Sequence, residues 1–420
     1  MTTTRILPRL LAGSFAACLV SGALAPSAEA TEGYFALGYS AAQRGQAGAG
    51  IAHAFDAMSA TSNPANAASV GKEMSMGIEA FIPLRGYTGT GTFFVPSGKV
   101  ESGHKVLPVP NFGYNMPLDN GNVLNFAAYG NGGMNTSYPT GLAGCGSVYC
   151  GGKAGVDLSQ LFVSVTYAGK AGDLSWGISP TFAYQRFEAR GLGAFGAIST
   201  DPANLTNRGH DGSTGFGLRA GLRYDLSDQF SVGITGQTKF NMSKFKKYAG
   251  LFANGGEFDI PAMVGVGMAF KPQPNLTLML DYQKIFYSGI PAISNAGNSG
   301  PLGAPNGAGF GWDDVDVVKL GVEWQQSPEM IWRAGYAYAS NPVGTEDVTL
   351  NIIAPGIVRH HFTVGGTRKF SDRDSLDFAL VYVPTASISG PEVTPAGPTP
   401  GQVKLEMEQF SLSVGWTHKF

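Results

Sequence analysis

Few residues in this chain have the types and spacing to do chemistry. Cys145 and Cys150 are separated only by Gly146 to Tyr149, close enough to join locally. In an oxidising compartment a disulfide is the expected product, with a two-thiolate metal site as the alternative. His360 and His361 are adjacent, so on a strand they face opposite sides and cannot chelate together. Gly215-Phe216-Gly217 followed by Gly221 resembles a phosphate loop, but no helical pattern follows and glycine-rich strands give such matches by chance. No Ser/His/Asp set stands out, so no catalytic set, metal centre or cofactor is expected. What remains is charge at alternate strand positions: Arg219, Arg223, Lys239, Lys319, Arg333 and Lys369. A buried cation of this kind would meet a ligand carboxylate. Lys239 and Lys319, placed away from the short turns described below, are the candidates for that role. The competing reading is a ladder in which these cations pair with Asp281, Glu323 and Asp377 across neighbouring strands.

The elements that would position such residues follow from composition. The 420 residues carry 28 Lys+Arg against 30 Asp+Glu, so no basic field recommends nucleic acid. Charged residues are only 14% of the chain, against about 25% in a typical soluble domain. Glycine fills the shortfall, with 60 residues, beside 26 Phe and 16 Tyr. Val, Ile, Leu, Phe and Tyr recur throughout, which excludes a disordered tail, and neither a coiled coil nor a disulfide-dense mini-protein fits.

Residues 1–30 form a separate object. Arg5 and Arg9 precede an uncharged apolar stretch from Leu10 to Leu24, and Ala28-Glu29-Ala30 is a small-x-small cleavage signal. A signal peptide is expected, with the mature chain beginning at Thr31. The alternative is a lipoprotein anchored through Cys18, against which Phe15 stands three residues earlier. Beyond residue 30 no uncharged apolar run approaches the ~18 residues of a membrane helix. An exported chain of this kind is either water-soluble or a closed barrel in the outer membrane.

The C-terminal segment decides. Phe410, Leu412, Val414, Trp416, His418 and Phe420 alternate with Ser411, Ser413, Gly415, Thr417 and Lys419. Period two over eleven residues, apolar on one face and small or polar on the other, is the membrane-barrel pattern. Leu376 to Tyr382, Trp332 to Tyr338, Leu276 to Tyr282, Phe216 to Tyr224 and Leu161 to Tyr167 repeat it. Charge on the second face suits a wet lumen and not a packed sandwich core. Six short turns are expected at 119–122, 169–173, 227–229, 272–275, 326–329 and 371–374. Seven longer connections alternate with them, near 84–105, 132–157, 189–212, 246–257, 289–313, 341–356 and 388–403. Together they join fourteen antiparallel strands, the first convincing one starting at Met74 to Ile82.

Residues 31–72 do not alternate. They are rich in Ala and Gly, with Gly45, Gly48 and Gly50 close together, and they contain Asn63-Pro64-Ala65. Tyr34, Phe35, Tyr39, Ile51, Phe55 and Met58 have no reason to sit in a solvated tail, which is the alternative. The segment is read as a plug, because a fourteen-stranded barrel is too wide for wall side chains alone to fill.

At this point the chain resembles a known family, the FadL-type outer-membrane transporters of long-chain fatty acids and hydrophobic aromatics. The resemblance runs from Gly33-Tyr34-Phe35 through Arg44-Gly45, Gly48-Ala49-Gly50 and Asp56-Ala57 to Asn63-Pro64-Ala65. It continues in Asp259-Ile260-Pro261-Ala262, Leu280-Asp281-Tyr282, Tyr287-Ser288, Trp312-Asp313-Asp314-Val315 and Arg333-Ala334-Gly335-Tyr336. Asn341-Pro342, Ala354-Pro355 and His361 complete it. It implies an all-β, fourteen-stranded antiparallel transmembrane β-barrel (73–420) with an N-terminal hatch (31–72) inside the lumen.

The resemblance further implies capture of a hydrophobic molecule in an outer-loop pocket, hatch movement and lateral exit through the wall. In the family the wall is kinked at the third strand; the matching run here is Gly130-Asn131-Gly132-Gly133, otherwise the plain start of an outer loop. Long-chain fatty acids are the expected substrate, with aromatic hydrocarbons or a porin for hydrophilic solutes as alternatives. A final Phe420 resembles the signal read by the outer-membrane assembly machinery of Gram-negative bacteria. Outer-membrane lipid is the expected surrounding, and a monomer the expected state.

Overall fold

The structure is a computed structural model that describes residues 32–103 and 106–420. The signal-peptide reading for residues 1–30 lies outside the described residues. Fourteen strands form the wall: β1 (Glu73–Thr90), β2 (Leu107–Pro117), β3 (Val123–Asn135), β4 (Gly155–Ala171), β5 (Leu174–Arg190), β6 (Asp211–Ser227) and β7 (Phe230–Gln237) make the first half. β8 (Met263–Gln273), β9 (Leu276–Ile285), β10 (Val315–Gln325), β11 (Met330–Ala339), β12 (His360–Lys369), β13 (Asp374–Thr394) and β14 (Gly397–Lys419) make the second. Each pairs antiparallel with its chain neighbours, and β14 pairs with β1 from Glu73↔Lys419 to Thr90↔Gln402, which closes the barrel. Closure removes both sheet edges, the condition for strands to cross a membrane.

The two faces are inverted relative to a water-soluble protein. On β10, Val318, Leu320, Val322 and Trp324 are exposed on the outer surface while Lys319 between them is buried. On β6, Leu218, Leu222 and Tyr224 point out while Arg219 and Arg223 are buried within. On β14, Phe410, Leu412 and Val414 alternate with buried Ser411 and Ser413. Lipid rewards the outer apolar band, and the lumen supplies partners to the polar set.

The short turns lie where the alternation places them. The seventh long connection does not: residues 388–403, read as a loop, are strand on both sides of a tight turn, with Ser389↔Lys404 and Thr394↔Gly397 paired on either side of a register shift between Pro391 and Val393. Gly390, Pro391, Pro398, Pro400 and Gly401 mimic loop composition, and a hairpin standing clear of the bilayer has no lipid to enforce apolar alternation. Glu392 is buried there and accepts hydrogen bonds from the N–H groups of Phe94 and Val95 at 2.7 and 2.8 Å, tying the β1–β2 connection to the hairpin.

Candidate functional site

Residues 32–67, almost all buried, pack against inward-facing residues of the wall. The segment consists of short helical turns joined by irregular backbone: α1 (Ala41–Arg44) and two 3-10 turns, Ala57–Thr61 and Pro64–Ser69. Irregular backbone at membrane depth must find partners for its N–H and C=O groups. The wall provides them. Asp281 on β9 accepts from Gly50 and Ile51 N–H at 2.7 and 3.0 Å. Asn115 on β2 donates to the Val70 carbonyl at 2.7 Å, and Asn125 on β3 to that of Ala57 at 2.7 Å. Thr363 on β12 accepts from Ala47 N–H at 3.0 Å and donates to Gly45 O at 3.1 Å. Arg219 on β6 reaches the Thr61 carbonyl, and Arg223 the Ser69 hydroxyl at 2.8 Å.

Two buried ion pairs complete the fastening: Arg44 to Glu79 on β1 at 2.6 Å, and Glu32 to Lys319 on β10 at 2.7 Å. Burial pushes the Glu32 carboxyl up, and the Lys319 ammonium pulls against that shift.

The glycines and the Asn-Pro pair of this segment have local reasons. At Gly48, with φ +75°, a Cβ would stand 1.8 Å from the Leu37 carbonyl oxygen, and Lys319 Nζ also donates to that oxygen at 3.1 Å. Gly45 passes Gly365 of the wall closely, and a Cβ at Gly50 would meet the Phe55 ring. Asn63 caps the turn that Pro64 begins, accepting from Ala65 N–H at 3.0 Å and donating to Ile51 O at 2.8 Å.

The wall is interrupted at one place beside this segment. β3 pairs with β2 only as far as Tyr129↔Asn111, and β2 beyond that point pairs with β1. Toward β4 the register shifts between Gly130↔Leu161 and Gly132↔Gln160, so Asn131 is the extra residue of a bulge. The free side of the bulge is taken from within: Ala36 donates to Asn131 O at 3.0 Å, Gly133 to Tyr34 O at 3.1 Å, and Phe35 bridges Gly132. An aromatic shell lies behind these residues. Tyr34 and Tyr287 rings are 5.2 Å apart and Tyr287 and Trp312 5.4 Å. Tyr287 OH donates to Glu32 O at 2.8 Å and accepts from Tyr34 N–H at 3.0 Å.

The structure separates the two lysines read as carboxylate ligands. Lys319 is buried in the lumen and already holds Glu32. Lys239 is not on a lumen face: it lies past the end of β7, partly exposed, with Asp259 at 2.8 Å. Arg333 joins Glu323 at 2.8 Å and Asp377 at 3.7 Å, a cross-strand ladder. Cys145 and Cys150 are bonded, with Cα atoms 5.2 Å apart. His361 is buried and His360 exposed on the other face. Glu32, Glu79, Asn115, Asn125 and Thr363 carry no motif in the sequence, and Arg44 is marked only by the Arg44-Gly45 pair. Inward charge or amide on the alternating strands could have signalled Glu79, Asn115, Asn125 and Thr363, but each meets a partner at least 35 residues away, and Thr363 and Glu32 meet theirs across about three hundred.

The chain is a closed antiparallel barrel with an apolar outer band and a lumen occupied by its own N-terminal segment. Residues 22–417 match the family described as outer membrane protein transport protein (OMPP1/FadL/TodX), and the chain belongs to that family. It is thus an outer-membrane protein that transports hydrophobic compounds. The fold is similar to that of the Pseudomonas putida toluene transporter TodX, at 16% identity, 91% of this chain, 99% of that one and a TM-score of 0.68. It is similar also to a Pseudomonas aeruginosa FadL homologue (15%, 92% and 100%, 0.69) and to the Ralstonia pickettii toluene transporter TbuX (16%, 91% and 99%, 0.64). No curated protein matches the sequence.

Proposed function

We propose that the protein takes up apolar molecules bearing a carboxylate, long-chain fatty acids foremost, with residues 32–72 acting as a hatch and the gap at Gly130–Gly133 as the lateral exit. The observation that carries this reading is the Lys319–Glu32 pair, 2.7 Å long and buried. Glu32 occupies the position a ligand carboxylate would take, and burial pushes its carboxyl up while Lys319 opposes that shift. A fatty acid that claims Lys319 leaves Glu32 without its counter-ion. The Glu32–Ala36 strand, held to the bulge by two backbone bonds, then withdraws and opens the wall between β2 and β3. Lateral release suits such a molecule, because an acyl chain gains nothing from an aqueous bore and gains from lipid.

Uptake of a fatty acid and of its methyl ester by cells carrying Lys319→Gln or Glu32→Gln tests this. Lys319→Gln should reduce fatty-acid uptake at least tenfold and leave the ester little changed. Equal loss for both compounds would sink the carboxylate step.

A second reading, aromatic hydrocarbons, draws on the Tyr34, Phe35, Tyr287 and Trp312 rings beside the gap. It is favoured also by the toluene transporters among the similar folds. Toluene uptake unaffected by Lys319→Gln would support it. A porin reading is disfavoured by a lumen filled with protein.

A further inference from the structure

The outer end of β6 carries a feature unrelated to the hatch. The lipid-facing side chains of β6 run from Leu226 through Tyr224, Leu222 and Leu218 to Phe216, all exposed on the outer surface. Ten residues at ~3.3 Å, tilted by ~40°, rise roughly 25 Å, the height of the apolar band of such barrels. Phe216, 70% exposed and 5.2 Å from the ring of Phe182, therefore marks the outer edge of the hydrocarbon.

Immediately above it the connection after β7 turns back along β6. Asn241 pairs with Phe216 and Met242 with Gly215. Thr214 N–H donates to Ser243 Oγ at 3.0 Å, Lys247 N–H to Asp211 at 2.8 Å, and Tyr248 OH to Gly209 O at 2.8 Å. This stapled ledge presents Lys244, Lys246 and Lys247 beside Arg208, all exposed. Lys247 Nζ is steered by the His210 carbonyl at 2.7 Å, and Lys244 Nζ by that of Asn254. The nearby acids are Asp211, engaged with the Lys247 backbone, Asp157 and Glu188, both turned to the His210 ring at 2.9 and 3.5 Å, and Glu257. On β9 a cation is instead neutralised: Lys284 faces Asp316 at 3.6 Å and Asp314 at 3.9 Å.

We propose that Arg208, Lys244, Lys246 and Lys247 form a binding site for the phosphate groups of outer-leaflet lipopolysaccharide. A cluster of four exposed cations, two of them held by backbone carbonyls, lies directly above the acyl-chain boundary, where the phosphates of lipid A stand. Each cation at a charged membrane surface adds attraction that salt screens. The lipid is held there beside Phe182 and Phe216, away from the exit gap.

The test uses the full-length protein in detergent micelles with diphosphoryl lipid A, dephosphorylated lipid A and inorganic phosphate as probes. Replacing all four cations by Gln should weaken diphosphoryl lipid A about tenfold or more at low salt. Binding of the dephosphorylated lipid should be equal in both proteins. The control Lys99→Gln/Lys404→Gln should retain full affinity. Lys246→Glu, a single exposed substitution, should give the same direction and stands in if the fourfold variant does not assemble. Equal binding of diphosphoryl lipid A by wild type and variant would overturn the site. So would loss of affinity in the control, or competition by inorganic phosphate at the lipid's own concentration.

Discussion

The carbonyl oxygen of Tyr34 fills the space beside Gly132: a Cβ built on Gly132 would stand 1.8 Å from it. The φ of Gly132 is +155°, a backbone setting that a β-branched residue resists. The bulge and the strand that closes it are thus fitted to each other through a missing side chain. Gly132→Val should displace the Tyr34–Ala36 strand and fill the gap with its own methyl groups. We expect uptake to fall severalfold while heat-modifiable migration on gels shows a normally assembled barrel. Wild-type uptake in the variant would count against passage through the wall.

Asp281 of the wall holds the lumen segment through one carboxylate oxygen that receives two backbone N–H groups. Hydrogen bonds to a charged group contribute about 1.5–3 kcal/mol. Asp281→Asn keeps the shape but replaces the charged acceptor with an amide. The lumen segment should detach more often, by about tenfold or more, while wall strands are unaffected. Protease cleavage within residues 32–72, followed by mass spectrometry, should accelerate accordingly, with no change in barrel melting.

How far the sequence disclosed this arrangement depends on which surroundings enforce a pattern. Lipid outside and polar partners inside impose period two, so Leu376 to Tyr382 and Phe410 to Phe420 announced their strands and faces. The hairpin at 388–403 left the lipid and kept only a glycine- and proline-rich composition, so its strands were hidden. Within the lumen, Lys319 was recognisable as an inward cation, but Glu32 lies before the alternating region and nothing local marks it as the partner. Lys239 was misplaced because β7 ends at Gln237, sooner than alternation suggested. Asn115, Asn125 and Thr363 bond to backbone atoms of the hatch, and such contacts leave no trace in residue type at the other end.

The disulfide between Cys145 and Cys150 holds Tyr149, whose φ is +57° and whose hydroxyl donates to Thr349 O at 2.6 Å. It therefore fixes how the β3–β4 connection meets the β11–β12 connection over the lumen. A loop of this size gains only modestly from cross-linking, roughly 2 kcal/mol, and only locally. Cys145→Ser/Cys150→Ser should leave barrel melting unchanged and speed tryptic cleavage at Lys153, exposed nearby. Unaltered cleavage would mean that Tyr149 and its neighbours hold the connection without the bond.

Deleting residues 32–72 while retaining residues 1–31 asks whether the segment is a plug. The wall it leaves behind faces the lumen with Arg219, Asp281, Lys319, Arg333 and Asp377. Without the segment Arg219, Asp281 and Lys319 lose the partners that make their burial tolerable, and water must replace those partners. Fourteen strands enclose more space than the eight whose side chains fill their own interior. The truncated barrel should therefore hold a continuous water column and conduct ions steadily in planar bilayers, where the intact protein stays near background. A truncated barrel that folds yet remains closed would show that the outer loops, and not the N-terminal segment, seal the bore.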